Sequence, residues 1–296
     1  MRKVIWTAFV ILLTTIANAQ ELYVNTEPAS NMATGSIGFR VLSKLYKMNY
    51  NGSYRSYRIE PEIMWGASRH WMIHLAGYGS DMFQKKFKLE GGSLYAKYRF
   101  YSRDDVHEHF RMAAWSKFSL IDNPQQLSVQ SRKMLPDGNG GYTEQLYTSI
   151  YKNDEFDVDG NNSGITAGVV ATKLVNKIAA SGSLGYGYRT NNLNDKILPD
   201  QPKNALTYTA SFGYLLLPKE YVSYKQTNVN LYAELLGTTF PGHAKSYTDI
   251  APAIQFIFNS IARLDLSYRT QIAGNAARLS TNYFMVRLEY NILNAF

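Results

Sequence analysis

Between Tyr283 and Ile292 the side chains alternate without a break. Phe284, Val286, Leu288, Tyr290 and Ile292 fall on one parity, and Tyr283, Met285, Arg287, Glu289 and Asn291 on the other. Successive side chains of a strand point to opposite faces, so this block has one apolar and one polar face. Helical spacing fits it much worse. The preceding block repeats the design, with Leu264, Leu266, Tyr268 and Ile272 opposing Arg263, Asp265, Ser267, Arg269 and Gln271. Read backwards, the pattern predicts further strands at 247–258, 227–237, 205–217, 177–189, 163–174, 107–120, 94–101, 70–79, 54–66 and 35–43. That makes about twelve strands and no long amphipathic helix.

The connections between these strands alternate in length. The shorter set is 67–69, 102–106, 175–176, 218–226 and 259–261; the longer set is 44–53, 80–93, 121–162, 190–204, 238–246 and 274–280. Only 218–226 blurs the contrast. Short turns at one end and long loops at the other are the layout of a transmembrane, antiparallel, up-and-down β-barrel. Hydrocarbon offers backbone groups no partner, so a sheet placed there must close and leave no edge. Apolar side chains then face lipid and polar ones face the lumen, which reconciles a mean hydropathy of −0.28 with a membrane location. A soluble β-sandwich also alternates, but several of these strands carry five outward apolar residues, with aromatic residues such as Trp65, Trp71, Phe100, Phe110, Phe258 and Tyr290 near strand ends.

Composition removes other classes. There is no cysteine among 296 residues, which excludes a disulfide scaffold, a Cys-ligated metal and a thiol nucleophile. The longest charge-poor run, at the start of the chain, has about 14 residues and falls short of the ~20 a helix needs to span a bilayer. That run follows Met1-Arg2-Lys3 and ends in Ala17-Asn18-Ala19, the basic, apolar, small-residue grammar of a secretory signal. The expected organisation is a cleaved signal peptide at 1–19, an N-terminal periplasmic segment at 20–34 and a barrel at 35–296. The stretch Glu27-Pro28-Ala29-Ser30-Asn31-Met32 is either a periplasmic tether or a small plug tucked into the lumen.

With these features and its ending Tyr290-Asn291-Ile292-Leu293-Asn294-Ala295-Phe296, the chain resembles bacterial (Gram-negative) outer-membrane β-barrels. The resemblance is to the class. It implies residence in the outer membrane, contact with its lipids, and a terminal strand read by the barrel-assembly machinery, with Tyr290, Ile292 and Phe296 as that signal. Polar Asn294 interrupts the parity.

Parity assigns Arg40, Arg58, Glu60, Glu62, His74, Lys97, Arg99, His109, Arg111, Lys117, Arg189, Glu234, Arg263, Asp265, Arg269, Arg287 and Glu289 to the inner face. Histidines aside, ten are basic and five acidic, so the predicted lumen leans positive. Two functions fit. Surplus Arg and Lys in a water-filled bore would make a narrow channel for small polar or anionic solutes. Paired charges in a filled bore would make a non-conducting barrel that serves a partner in an envelope complex.

No other chemistry is complete. The run Asp154-Glu155-Phe156-Asp157-Val158-Asp159-Gly160 has alternating acids before a glycine, but Glu155 and Thr166 stand where a calcium loop wants Asp and Glu. A solvated acidic turn is the alternative. Asp105-Val106-His107 has an acid–imidazole spacing in a predicted short turn, and no His-x-Ser strand motif accompanies it. No enzyme activity, cofactor or metal is expected. A pI of about 9.3 does not imply nucleic-acid binding, because the basic residues lie along strand faces. The longest connection, 121–162, is predicted to be extracellular, either folding into the barrel mouth or mobile at the surface.

Overall fold

A computed structural model of the chain describes residues 23–49, 54–83, 86–105, 108–138, 141–220, 223 and 225–296. The proposed signal peptide and His107 lie outside the described residues. The strands are β1 (Ile37–Met48), β2 (Arg55–Trp65), β3 (Trp71–Ser80), β4 (Lys88–Asp104), β5 (Glu108–Ile121), β6 (Gln126–Pro136), β7 (Tyr142–Lys152), β8 (Gly164–Val175), β9 (Ile178–Arg189), β10 (Asn204–Leu217), β11 (Asn228–Thr239), β12 (Ser246–Phe258), β13 (Ala262–Gly274) and β14 (Ser280–Ile292).

Twelve of them form one closed antiparallel barrel, in the order β1-β14-β13-β12-β11-β10-β9-β8-β5-β4-β3-β2. Closure joins the first and last strands, with Phe39 opposite Tyr290 and Val41 opposite Leu288. β5 pairs directly with β8, so the chain between them leaves the barrel wall. There β6 and β7 form a separate two-stranded hairpin, which the sequence reading did not foresee.

The interior is polar and the exterior apolar. Among the largest fully buried side chains are Arg58, Arg189, Lys97, Gln125, Gln255 and Glu90, while Leu75, Leu94, Leu184, Phe212 and Leu288 are exposed. This inverts the usual sorting of a soluble protein and suits a lipid exterior. At the short-turn end, Trp71 meets Tyr98 at 4.9 Å between ring centroids and Trp65 meets Phe296 at 6.1 Å. Tryptophan and tyrosine favour such a position because one part of the ring is apolar and the other hydrates.

Two sequence expectations are refined. β4 begins six residues before its predicted start and carries a register shift beside Gly79. Gly91 has φ +142° there, and a Cβ on it would stand 2.1 Å from the Leu120 carbonyl oxygen. Only glycine fits that approach. At the C-terminus, β14 stops at Ile292, Asn294 turns with φ +52°, and the Ala295 amide donates to the Gly35 carbonyl at 2.7 Å. Tyr290 and Ile292 face outward on the strand, whereas Phe296 reaches the exterior through this turn rather than by strand parity.

Candidate functional site: a lumen divided by two inserts

The first insert is the N-terminal segment, which crosses the bore as a strap. Its Val24 and Asn25 amides donate to the Glu234 carboxylate at 3.0 and 2.8 Å, and Thr26 Oγ1 donates to the same group at 2.8 Å. Asn25 also reaches Ser267 on β13, and Thr26 reaches Ser211 on β10 at 3.1 Å. Arg287 on β14 donates to the Tyr23 and Val24 carbonyls at 2.8 and 3.0 Å. Farther along, the Ala29 amide donates to Thr172 on β8, Arg111 on β5 donates to Ser30, and the Met32 amide approaches Met72 on β3. Lys97 on β4 donates to the Pro28 and Ser30 carbonyls, both at 2.7 Å. With Glu27 paired to Arg40 on β1 at 2.6 Å, ten residues touch nine of the twelve barrel strands. The strap lies toward the short-turn end, so 27–32 is a plug rather than a tether.

The second insert is the turn 154–162, which enters from the long-loop end as a clasp. Asp159 pairs with Lys117 and accepts from Tyr78 Oη at 3.0 Å. Arg58, fully buried, pairs with Glu90 at 2.8 Å and donates to Asn161 Oδ1 at 2.7 Å, with Asp157 at 3.5 Å. Glu155 pairs with Arg278, which also holds Asp249 at 2.7 Å. The turn is braced internally, since the Asp159 amide donates to Asp157 Oδ1 at 2.8 Å. The acidic run is thus not a freely solvated turn, because its acids pair with cations of the bore. Asp157 and Asp159 reach the wall cations Arg58 and Lys117, Glu155 and Asp154 reach the loop cations Arg278 and Lys245, and no group of three or more His, Asp or Glu that could hold a metal occurs among the described residues.

Charge pairing extends through the bore. Arg40 bonds Glu27, Glu62 at 3.0 Å and Glu289 at 2.9 Å. Lys44 pairs with Glu60 at 2.7 Å, Arg269 with Asp249 at 2.7 Å, Arg263 with Glu289 and Arg287 with Asp265. Burial pushes the Glu27 carboxyl up, but the charges of Arg40 and then Lys97 outweigh it and hold it well below the usual carboxylate range. Asp159 behaves alike, with Lys117 and Lys44 overcoming burial.

The expected positive lumen is therefore corrected. Parity placed Arg40, Arg58, Glu60, Lys97, Glu234, Arg263, Asp265, Arg287 and Glu289 inside, and Glu62, Lys117 and Arg269 on the inner face, as found. Arg99 sits at the short-turn rim, donating to the Arg69 carbonyl at 2.7 Å, and Arg111 spans Asp104 and Ser30. Sequence reasoning missed the acids that balance these cations. Glu27, Glu155, Asp157 and Asp159 come from the inserts, Glu90 from the extension of β4, and Asp249 from β12. Asp249 shares inward parity with Gln255, a signal that was readable.

Between strap and clasp lies a chamber of about 310 Å³. Glu27, Glu60, Glu62, Glu155, Asp157 and Asp159 line it, against Arg40, Lys44, Lys117, Arg269 and Arg287. Six acids and five bases leave no cationic surplus. Across the bore, Thr166, Ser183, Thr207, Thr209 and Thr238 form a hydroxyl wall. The inward positions of β9 and β10 are small, from Ala179 to Gly187 and from Ala205 to Gly213, and this is why space remains there.

The short-turn end also carries Asp104, whose carboxylate meets His109 Nδ1 at 2.8 Å, Ser102 Oγ at 2.9 Å and Arg111. The serine hydroxyl is bonded to the carboxylate rather than the imidazole, so these groups form an anchor for Arg111 rather than a nucleophile–base relay. Asp105, next to it, bonds Glu108 through the backbone across the turn.

No protein-family model matches the chain, and no curated protein matches its sequence. Solved structures do match. An outer membrane channel from Pseudomonas putida F1 superposes over 91% of this chain and 100% of its own, with 8% identity and a TM-score of 0.55. The NanC porin covers 86% and 98% at 10% identity with a TM-score of 0.45, and the Pseudomonas putida toluene transporter TodX covers 89% and 90% at 9% with 0.44. The fold is that of Gram-negative outer-membrane β-barrels. This barrel has twelve strands, with both an N-terminal and a loop insert in its bore.

Proposed function

We propose that the protein is a gated outer-membrane channel of narrow bore for small polar solutes, closed in the arrangement described above. The divided lumen carries this reading. A barrel that only anchors a partner has no need of an unfilled polar chamber, yet one lies between two inserts that belong to no barrel ladder. The bonds that hold the strap each have a side chain on at least one side, so it can leave without unzipping the sheet. The likeness to a solved outer membrane channel supports the same reading, and enzyme chemistry forms no part of it. Outward-facing residues meet outer-membrane lipid, and Tyr290, Ile292 and Phe296 stand as the signal for the assembly machinery.

The balanced chamber removes the basis for anion preference. In a planar bilayer under a salt gradient, the mature chain should give rare, small steps with a reversal potential close to zero. A strong anion preference would restore the charge-surplus account. A folded barrel that never conducts, even with its strap detached, would favour the partner-binding reading. The hairpin β6–β7, with Met134, Tyr142, Leu146 and Ile150 exposed, would then be the surface to examine.

A further inference from the structure

The chamber also discriminates among solutes by the way its polar groups are already committed. Its wall cations all hold carboxylates: Arg40 has three, Lys44 has Glu60, Lys117 has Asp159, Arg269 has Asp249 and Arg287 has Asp265. An ion entering here would lose its hydration and find no uncommitted counter-charge. The opposite wall is different. Ser183 and Thr209 share one hydrogen bond at 2.7 Å, and each hydroxyl has one donor and two acceptor positions. Thr207 and Thr166 flank them on the same small-residue surface. Such a wall can both donate and accept without carrying charge.

Flat apolar surface borders these hydroxyls. Trp115 lies across Gly168 and Gly185, where an added Cβ would stand 2.8 and 2.9 Å from its ring. Phe156 of the clasp lies on Gly187. A volume of about 310 Å³ lies at the small end of the ~300–1,000 Å³ range of small-molecule pockets, which suits a solute of monosaccharide size.

We infer that the chamber takes a neutral, polyhydroxylated solute of monosaccharide size, held by the Ser183–Thr209 hydroxyl wall and flanked by Trp115. Hydroxyl groups exchange water for Ser and Thr partners in both directions, and the C–H faces of the ring meet indole. The inference rests on the channel reading for entry but concerns the site itself, so two readouts separate them.

Proteoliposomes carrying the mature chain are assayed for swelling in D-glucose, sodium gluconate and glucosamine hydrochloride, which are similar in size and differ in charge. Equilibrium dialysis of labelled D-glucose against the folded protein in detergent measures occupancy directly, with unlabelled gluconate and glucosamine as competitors. Glucose should swell the liposomes fastest and should resist competition by either ion. Ser183→Ala and Thr209→Val should each weaken glucose retention by roughly fivefold, the worth of about one net hydrogen bond. Their folding is read independently from the heat-dependent shift in gel mobility. Glucose retention without swelling would support the site while overturning the channel. Ions passing or binding as well as glucose, or glucose retention unchanged in both folded variants, would overturn the inference.

Discussion

Glu234→Ala should convert a mostly closed barrel into a mostly open one. Glu234 is fully buried and accepts from the Val24 amide at 3.0 Å, the Asn25 amide at 2.8 Å, Asn25 Nδ2 at 3.1 Å and Thr26 Oγ1 at 2.8 Å. Arg287 and Lys97 each donate to two strap carbonyls, and Glu234 accepts four strap bonds. Hydrogen bonds to a charged group are each worth ~1.5–3 kcal/mol. Losing the equivalent of two shifts an open–closed equilibrium by at least ~100-fold, at ~1.4 kcal/mol per factor of ten. Single-channel recording should show the wild-type step size with far longer open times. Unchanged open probability in a barrel that still shifts on heating would mean that the strap is not the gate.

The second large effect concerns stability. Arg40 is the hub of the bore, bonding Glu27, Glu62 and Glu289 from the strap, β2 and β14. Arg40→Met keeps much of the volume and removes the cation. Three carboxylates of the bore, one of them fully buried, then lose a common partner, although Glu289 retains Arg263 and Glu62 retains His74. Removing one member of a buried pair typically costs ~3–5 kcal/mol, because the remaining charge is left uncompensated. Urea unfolding followed by gel mobility should show a loss of about that size. Adding Glu289→Gln should recover part of it, since the two changes share one network. A loss under ~1 kcal/mol would place these charges in well-hydrated surroundings.

The closed barrel was legible in the sequence because lipid imposes one rule on every strand. Leu288 and Arg287 must face opposite ways, and a twelve-fold repetition of that rule leaves few alternatives. The inner charges were legible for the same reason. Parity says nothing about coil, however, and half of the balance lies there. Glu27, Asp157 and Asp159 occupy segments with no period, so their entry into the bore left no pattern to read. Lys44 and Glu90 lie beyond the clean alternation of β1 and β4, so parity alone reads them as loop. The hairpin β6–β7 shows no clean apolar parity, as Arg132 opposite Leu146 and Met134 opposite Glu144 illustrate, and only its base packs, through Leu127, Val129 and Tyr151. The hydroxyl wall of β8–β10 was visible as Ser, Thr and Gly on one parity, but only the inserts opposite it show that the space is left unfilled.

The absence of cysteine permits a direct test of the gate. Thr26 and Ser211 place their hydroxyl oxygens 3.1 Å apart, on the strap and on β10. Thr26→Cys combined with Ser211→Cys therefore brings two thiols within reach of a disulfide, which needs Cβ atoms about 3.5–4.5 Å apart. Single-channel currents from this one protein, recorded first oxidised and then after adding a reductant, report the strap alone. The account predicts silence while the strap is tied and wild-type steps once it is freed, with neither change in the single variants. Equal conductance before and after reduction, with the crosslink verified by mass, would contradict it.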